Sequence, residues 1–85
     1  MNWYVYIIET TKGHYYTGIT TDVERRFSEH LNDKSKGAKY FRSNTPKKVI
    51  YTENFENRSL ASKREYEIKK MTKVQKLRLV GSTPQ

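Results

Sequence analysis

Apolar and aromatic residues come in short bursts along the chain, and their spacing changes from burst to burst. "NWYVYIIE" is dense in aromatic and β-branched residues and predicts a strand from about Trp3 to Glu9. "TTKG" reads as a turn, and "HYYTGIT" as a second strand, His14 to Ile19, so the chain opens with a hairpin. "TDVE" follows, with Thr21 placed as an N-cap and Glu24 three residues on, the capping-box spacing. A helix to about Leu31 is expected, its core side formed by Val23, Phe27 and Leu31. "NDKSKGAKYFRSNTP" is a polar, basic loop, and "KKVIYTENF" is a third strand.

Past that strand, Asn57 or Ser59 caps a helix containing "ASKREYEIKK". At about 100° per residue, Leu60, Ala61, Ile68 and Met71 share one arc. Arg64 falls inside this arc and Glu65 on its border, which is costly in a small core unless the charges have partners. Thr72 loosens the helix, and "KVQKLRLV" forms a last short one on Val74, Leu77 and Val80, stopped by Gly81. The order β-β-α-β-α-α predicts an α+β fold: a small, mainly antiparallel three-stranded sheet flanked by helices. Residues 1–81 read as one domain and 82–85, "STPQ", as a frayed tail.

Composition narrows the chemistry. The 85 residues hold no cysteine, which removes disulfides, thiolate nucleophiles and Cys-based zinc sites, and fits a cytoplasmic protein. No apolar run approaches a membrane span, and "MNWYVYII" lacks the basic n-region of a signal peptide, so no membrane association is expected. Seventeen Lys and Arg against nine Asp and Glu give a net charge of +8. So basic a body suits a polyanion, with affinity driven by counterion release. "KGAKYFR" interleaves Tyr40 and Phe41 with Lys36, Lys39 and Arg42, a pattern that tracks a backbone and stacks bases, or else a basic loop whose aromatics turn into the core. Lys63 and Lys70 add charge to the outer side of the later helix.

Geometry also singles out side chains that could do chemistry. With Val23 at zero, Arg26 and His30 fall at about −60° and −20°, neighbours along one border of the helix core. Alternation puts Tyr4 and Tyr6 on one face of the first strand. A turn with an odd number of residues would let Tyr6 stand opposite Tyr16 on that face. Gly18, two residues on, would leave the face uncovered for a ligand backbone.

"YVY" at Tyr4–Tyr6, "YTG" at Tyr16–Gly18, "DVERRFSEH", "GAKYFR" and "ASKREYEIKK" resemble, in order and spacing, the motifs of the GIY-YIG endonuclease family. The likeness is to its small single-domain bacterial branch and runs from about Trp3 to Leu79. It implies a metal-dependent endonuclease that hydrolyses DNA phosphodiester bonds in repair or recombination. In that likeness Glu65 is the catalytic carboxylate and holds one Mg2+ or Mn2+ ion, bound weakly without substrate. Arg26 clamps the phosphate, while Tyr6, Tyr16 and His30 are the candidates for proton transfer. The implied partner is DNA, branched, damaged or single-stranded, with a targeting protein as a further partner. Two departures stand out: Tyr4 replaces the family's Gly, and Ile19 follows Gly18 where larger relatives often carry Lys. The rival readings are a module that binds nucleic acid without cutting it, and a subunit active only beside a partner.

Overall fold

A computed structural model describes residues 2–32 and 39–81. The elements are β1 (Trp3–Thr10), β2 (Tyr15–Thr20), α1 (Val23–Asn32), a 3₁₀ turn (Lys39–Arg42), β3 (Pro46–Phe55), α2 (Arg58–Lys69) and α3 (Lys73–Gly81). The expected α+β order holds. The strands form one antiparallel sheet in the order β2-β1-β3, which puts β1, the most apolar strand, in the middle. The expected tail, 82–85, lies outside the described residues. No helix among the described residues is long and apolar enough to cross a membrane.

Alternation along β1 divides the molecule into two cores. Val5 and Ile7 point to one face, where they pack with Tyr51, Ala61 and Ile68 under α2. Tyr6 and Ile8 point to the other, where Phe41, Tyr16, Val23 and Phe27 close over them from the 3₁₀ turn, β2 and α1. Each buried aliphatic side chain contributes about 1.5–3 kcal/mol, and β1 supplies both layers at once.

The hairpin explains which tyrosines meet. The Thr10 N–H donates to the His14 carbonyl (2.9 Å), leaving a three-residue loop whose Gly13 sits at φ +82°. The odd loop places Tyr6 and Tyr16 on the same face. They are diagonal rather than directly opposite, because Tyr6 pairs with Gly18 and Ile8 with Tyr16. Gly18 is therefore not bare: a Cβ there would lie 2.5 Å from the Tyr6 hydroxyl and 2.7 Å from its ring. The missing side chain makes room for a phenol of the protein itself, not for a ligand backbone.

Several other expectations are corrected. Asp22, not Thr21, caps α1, its Oδ1 accepting from the Arg25 N–H at 3.1 Å. The reciprocal capping box is at α3 instead: the Gln75 N–H donates to Thr72 Oγ1 (3.2 Å) and the Thr72 N–H to Gln75 Oε1 (2.9 Å). Of the two candidates for α2, Asn57 is the cap, accepting from Leu60 N–H at 3.0 Å. Leu31 is 42% exposed and His30 only 1%, so the buried side of α1 runs through Val23, Phe27 and His30. Leu60, Val74 and Leu77 are likewise exposed, and α3 packs through Leu79 and Val80. Gly81 is the last residue of α3 and has no positive φ.

The close approach of Tyr6 to Gly18 yields the first prediction. Gly18→Ala forces the phenol aside and lowers unfolding free energy by about 1–3 kcal/mol, read from urea denaturation. An unchanged midpoint would mean that the ring is not held against β2.

Candidate functional site

The site grows from that phenol. Tyr6 is 2% exposed, and its hydroxyl lies 2.9 Å from His30 Nε2 across from α1. Arg26, one turn earlier on α1, is near enough to the Tyr6 hydroxyl for its charge to favour ionisation of the phenol. A guanidinium can only donate. Toward Arg26 the Tyr6 oxygen can only accept, so in the Nδ1–H tautomer of His30 the phenol proton goes to Nε2.

His30 is boxed in by rings: Phe41 at 4.3 Å between centroids, Tyr16 at 5.6 Å and Tyr6 at 6.1 Å. Burial, followed by the charge of Arg26, pushes its pKa down to about 4 against the opposing pull of Glu29, so the imidazole is neutral at pH 7. Burial and the neighbouring Tyr16 push the Tyr6 phenol well above the usual tyrosine range, and Arg26 only partly offsets them. In the free protein Tyr6 is a proton donor, not a phenolate.

Glu65 reaches the same region from the other face. Relative to Ala61 it lies at about +40° on α2, with Arg64 at about −60°, so the two charges flank the buried line on opposite sides. Its carboxylate is near enough to Tyr6 to oppose ionisation of the phenol. Both charged groups have local partners: Arg26 pairs with Glu29 at 3.0 Å and Glu65 with Lys69 at 3.3 Å. These half-exposed pairs are weak, about 0–1 kcal/mol each, and can yield to a phosphate or a cation.

Tyr6, Tyr16, Arg26 and His30 thus come together as one contact group, and Glu65 stands within electrostatic reach of it. Two depressions among the described residues lie elsewhere, one lined by Tyr4, Asp22, Val23 and Thr52 and the other by Lys48, Val49, Ile50 and Val80. Tyr40 stacks on Tyr16 with centroids 5.3 Å apart, and Phe41 is buried beneath, so the two aromatics of the 3₁₀ turn divide between surface and core. Lys39 and Arg42 are exposed at the ends of that turn. Lys36 lies outside the described residues. Lys63 and Lys70 are exposed on the outer side of α2, away from the tyrosines, and Lys70 sits over the Tyr66 ring at 4.9 Å. Ile19 pairs with Val5 and packs into the α2-side core.

Glu29 and Lys69 complete the site without having been singled out in the sequence, while Phe41, one of the two aromatics of "KGAKYFR", takes the core alternative. The two charged ones were visible as i, i+3 and i, i+4 partners of Arg26 and Glu65. As for metal binding, Glu65 offers one hard carboxylate, and no three His, Cys, Asp or Glu side chains cluster among the described residues. Such a donor set fits a Mg2+-like ion that keeps water and takes phosphate oxygens as its other ligands.

A three-stranded sheet with two tyrosines over one glycine, an arginine and a histidine on the following helix and a glutamate on a later one defines a class, and the comparisons agree. The GIY-YIG catalytic domain family matches residues 2–78. This chain belongs to the GIY-YIG family, a family of nucleases. It is 49% identical over 81 residues to the UPF0213 protein DP2720 of Desulfotalea psychrophila, covering 95% of this chain and 73% of that protein. Against the UPF0213 protein YhbQ of Escherichia coli the identity is 46% over 79 residues, 93% of this chain and 77% of YhbQ. The solution NMR structure of the UPF0213 protein BH0048 from Bacillus halodurans matches with a TM-score of 0.60 and 43% identity, covering 95% of this chain and 84% of that one.

The depressed His30 pKa has a consequence for stability. Unfolded, the imidazole binds a proton near pH 6.5; folded, it does so only near 4. Between these values the unfolded state holds more protons, so folding weakens as pH falls from 6.5 toward 4, by roughly 3 kcal/mol in all. Urea unfolding at pH 7 and pH 4 measures the loss, which should shrink by most of that amount in His30→Gln. An equal loss in the variant would show that His30 is not held neutral.

Proposed function

We propose that this chain is a metal-dependent endonuclease that hydrolyses DNA phosphodiester bonds. The observation that carries this reading is the hydrogen bond between one buried phenol and a neutral imidazole, with a guanidinium and a carboxylate of α2 within electrostatic reach. The net charge of +8 supports a polyanionic substrate.

Each residue has a role consistent with its surroundings. Arg26, exchanging Glu29 for the substrate, presents fixed positive charge to the phosphate and to the extra negative charge that develops at pentavalent phosphorus. Tyr6 takes a proton from the attacking water while passing its own to His30 Nε2, so no phenolate forms and the raised pKa of Tyr6 is no obstacle. The neutral imidazole is the final acceptor. Tyr16, half-buried and edge-on to His30, would orient the water. Glu65 would hold the divalent cation, and the chemistry the cation supplies when bound is stabilisation of the departing oxygen. Lys39 and Arg42 would contact the backbone outside the scissile phosphate, and Tyr40 would offer a ring face to a base.

A cellular role in DNA repair or recombination, in the cytoplasm, goes with this activity. The reading in which the scaffold grips nucleic acid without cutting draws on Ile19, which gives the site one cation fewer than a lysine there would.

Purified protein incubated with labelled branched, nicked and single-stranded DNA, with and without Mg2+, tests the proposal. Cleavage should require the metal, and Glu65→Gln and Arg26→Ala should each lower it by about 10²–10³-fold. Binding with a steep salt dependence but no cutting would favour the non-catalytic module. The acid limb of kcat/KM should lie near pH 4, where His30 protonates. A rate still climbing between pH 8 and 10 would assign the base to a tyrosine phenolate instead.

A further inference from the structure

The core under α2 is narrow. Only Ala61 and Ile68 of this helix are buried, at about 0° and −20° on its circumference, and Leu60 beside them is exposed. So thin an apolar line fixes the height of a helix better than its roll. Roll matters here, because at a side-chain radius of about 5–6 Å a rotation of about 20° moves the end of Glu65 by about 2 Å. A displacement of about 1 Å at a reacting group can cost 10²-fold in rate.

What resists the roll is polar. Glu53 stands on β3 opposite Val5, on the core face of the sheet, and Tyr51 stands opposite Ile7. Glu53 Oε2 accepts from the Tyr51 hydroxyl at 2.5 Å and from Arg64 Nε at 3.1 Å. Arg64 spends a second nitrogen, Nη1, on Glu67 Oε1 one turn along the same helix, at 3.0 Å. Burial and the nearby Glu53 keep the Tyr51 phenol protonated, so it stays a donor. The planar guanidinium, held on two sides, ties the β3 side of α2 to the sheet. Glu65, the next residue, lies about 100° further round the helix, on the opposite flank of the buried line.

We infer that Tyr51, Glu53 and Arg64 form a positioning bracket that sets the roll of α2 and thereby aims Glu65 at the Tyr6–Arg26 group. The bracket touches neither substrate nor cation; it acts through Glu65, and it rests on the reading of Glu65 as the metal-holding carboxylate. It accounts for an arginine inside the buried arc of a small domain.

Charge alone and positioning make opposite predictions. Through space, loss of the Arg64 charge should tighten cation binding at the adjacent Glu65, and loss of the Glu53 charge should weaken it. If the two residues act by positioning, both losses weaken it. Glu53→Gln keeps the size and the acceptor for Tyr51, and Arg64→Met keeps the apolar stem, so both variants can be studied folded, below their thermal midpoints. The first readout needs neither DNA nor turnover: Mn2+ added to the free protein, with paramagnetic broadening of the Glu65 amide followed by NMR. The second is the Mg2+ concentration that gives half-maximal cleavage. Both midpoints should rise about tenfold in each variant, the size typical of residues that orient a metal ligand. Tighter binding in Arg64→Met, unchanged midpoints despite a lower melting temperature, or no selective broadening at Glu65 in the wild type would each overturn the bracket. A wild type that never cuts DNA would defeat the nuclease reading alone, because the Mn2+ titration still decides the bracket.

Discussion

The contact between the Tyr6 ring and the bare backbone of Gly18 is the constraint from which the rest of the site follows. A side chain at position 18 would occupy the space of the phenol, and without that space the hydroxyl could not lie 2.9 Å from His30. Because Tyr6 is on the central strand, its place is fixed by pairing on both sides, to Gly18 on β2 and Thr52 on β3. The α1 helix is then docked by a polar residue, His30, where an aliphatic one would be ordinary. Burying an imidazole in a domain this small is made tolerable by Tyr6, which meets one of its ring nitrogens, and by the aromatic rings around it.

The two faces of the sheet divide the work. One holds an aromatic and proton-handling group made by β1, β2, α1 and the 3₁₀ turn. The other is an aliphatic layer on which α2 rides with its carboxylate. Glu65 on α2 is nonetheless felt electrostatically by Tyr6, which points to the opposite face. The charges of α2 that break its apolar stripe find separate partners: Arg64 takes Glu53 of β3 and Glu65 takes Lys69 of its own helix.

Much of this was legible in the residues. Period-two alternation in "WYVYII" gave both core faces, whereas the meeting of Tyr6 and Tyr16 hung on the parity of the hairpin loop, which "TTKG" left open and the Thr10–His14 bond decides. The order of elements followed from runs of aromatic and β-branched residues set against runs with helical spacing. What failed did so for physical reasons. Hydrophobicity alone took Leu31 as core and left His30 at the border, because no single-residue scale credits a histidine that has found a buried partner. The capping-box pattern was read at Thr21–Glu24, yet Asp22 competes there with a stronger acceptor, while the same pattern at Thr72–Gln75 was passed over. Gly18 was seen as empty because its occupant comes from a different strand, and register is not visible in one strand alone. Roles of individual site residues came from family resemblance; their hydrogen bonds and the protonation state of His30 needed coordinates.

The central claim is that His30 is held neutral by burial and accepts the Tyr6 proton through Nε2. A pH titration of the His30 ring nitrogens by ¹⁵N NMR addresses it directly. The account predicts a neutral ring with its proton on Nδ1 at pH 7, titrating only near pH 4. A ring that titrates near 6.5, or one that carries its neutral-form proton on Nε2, would contradict it.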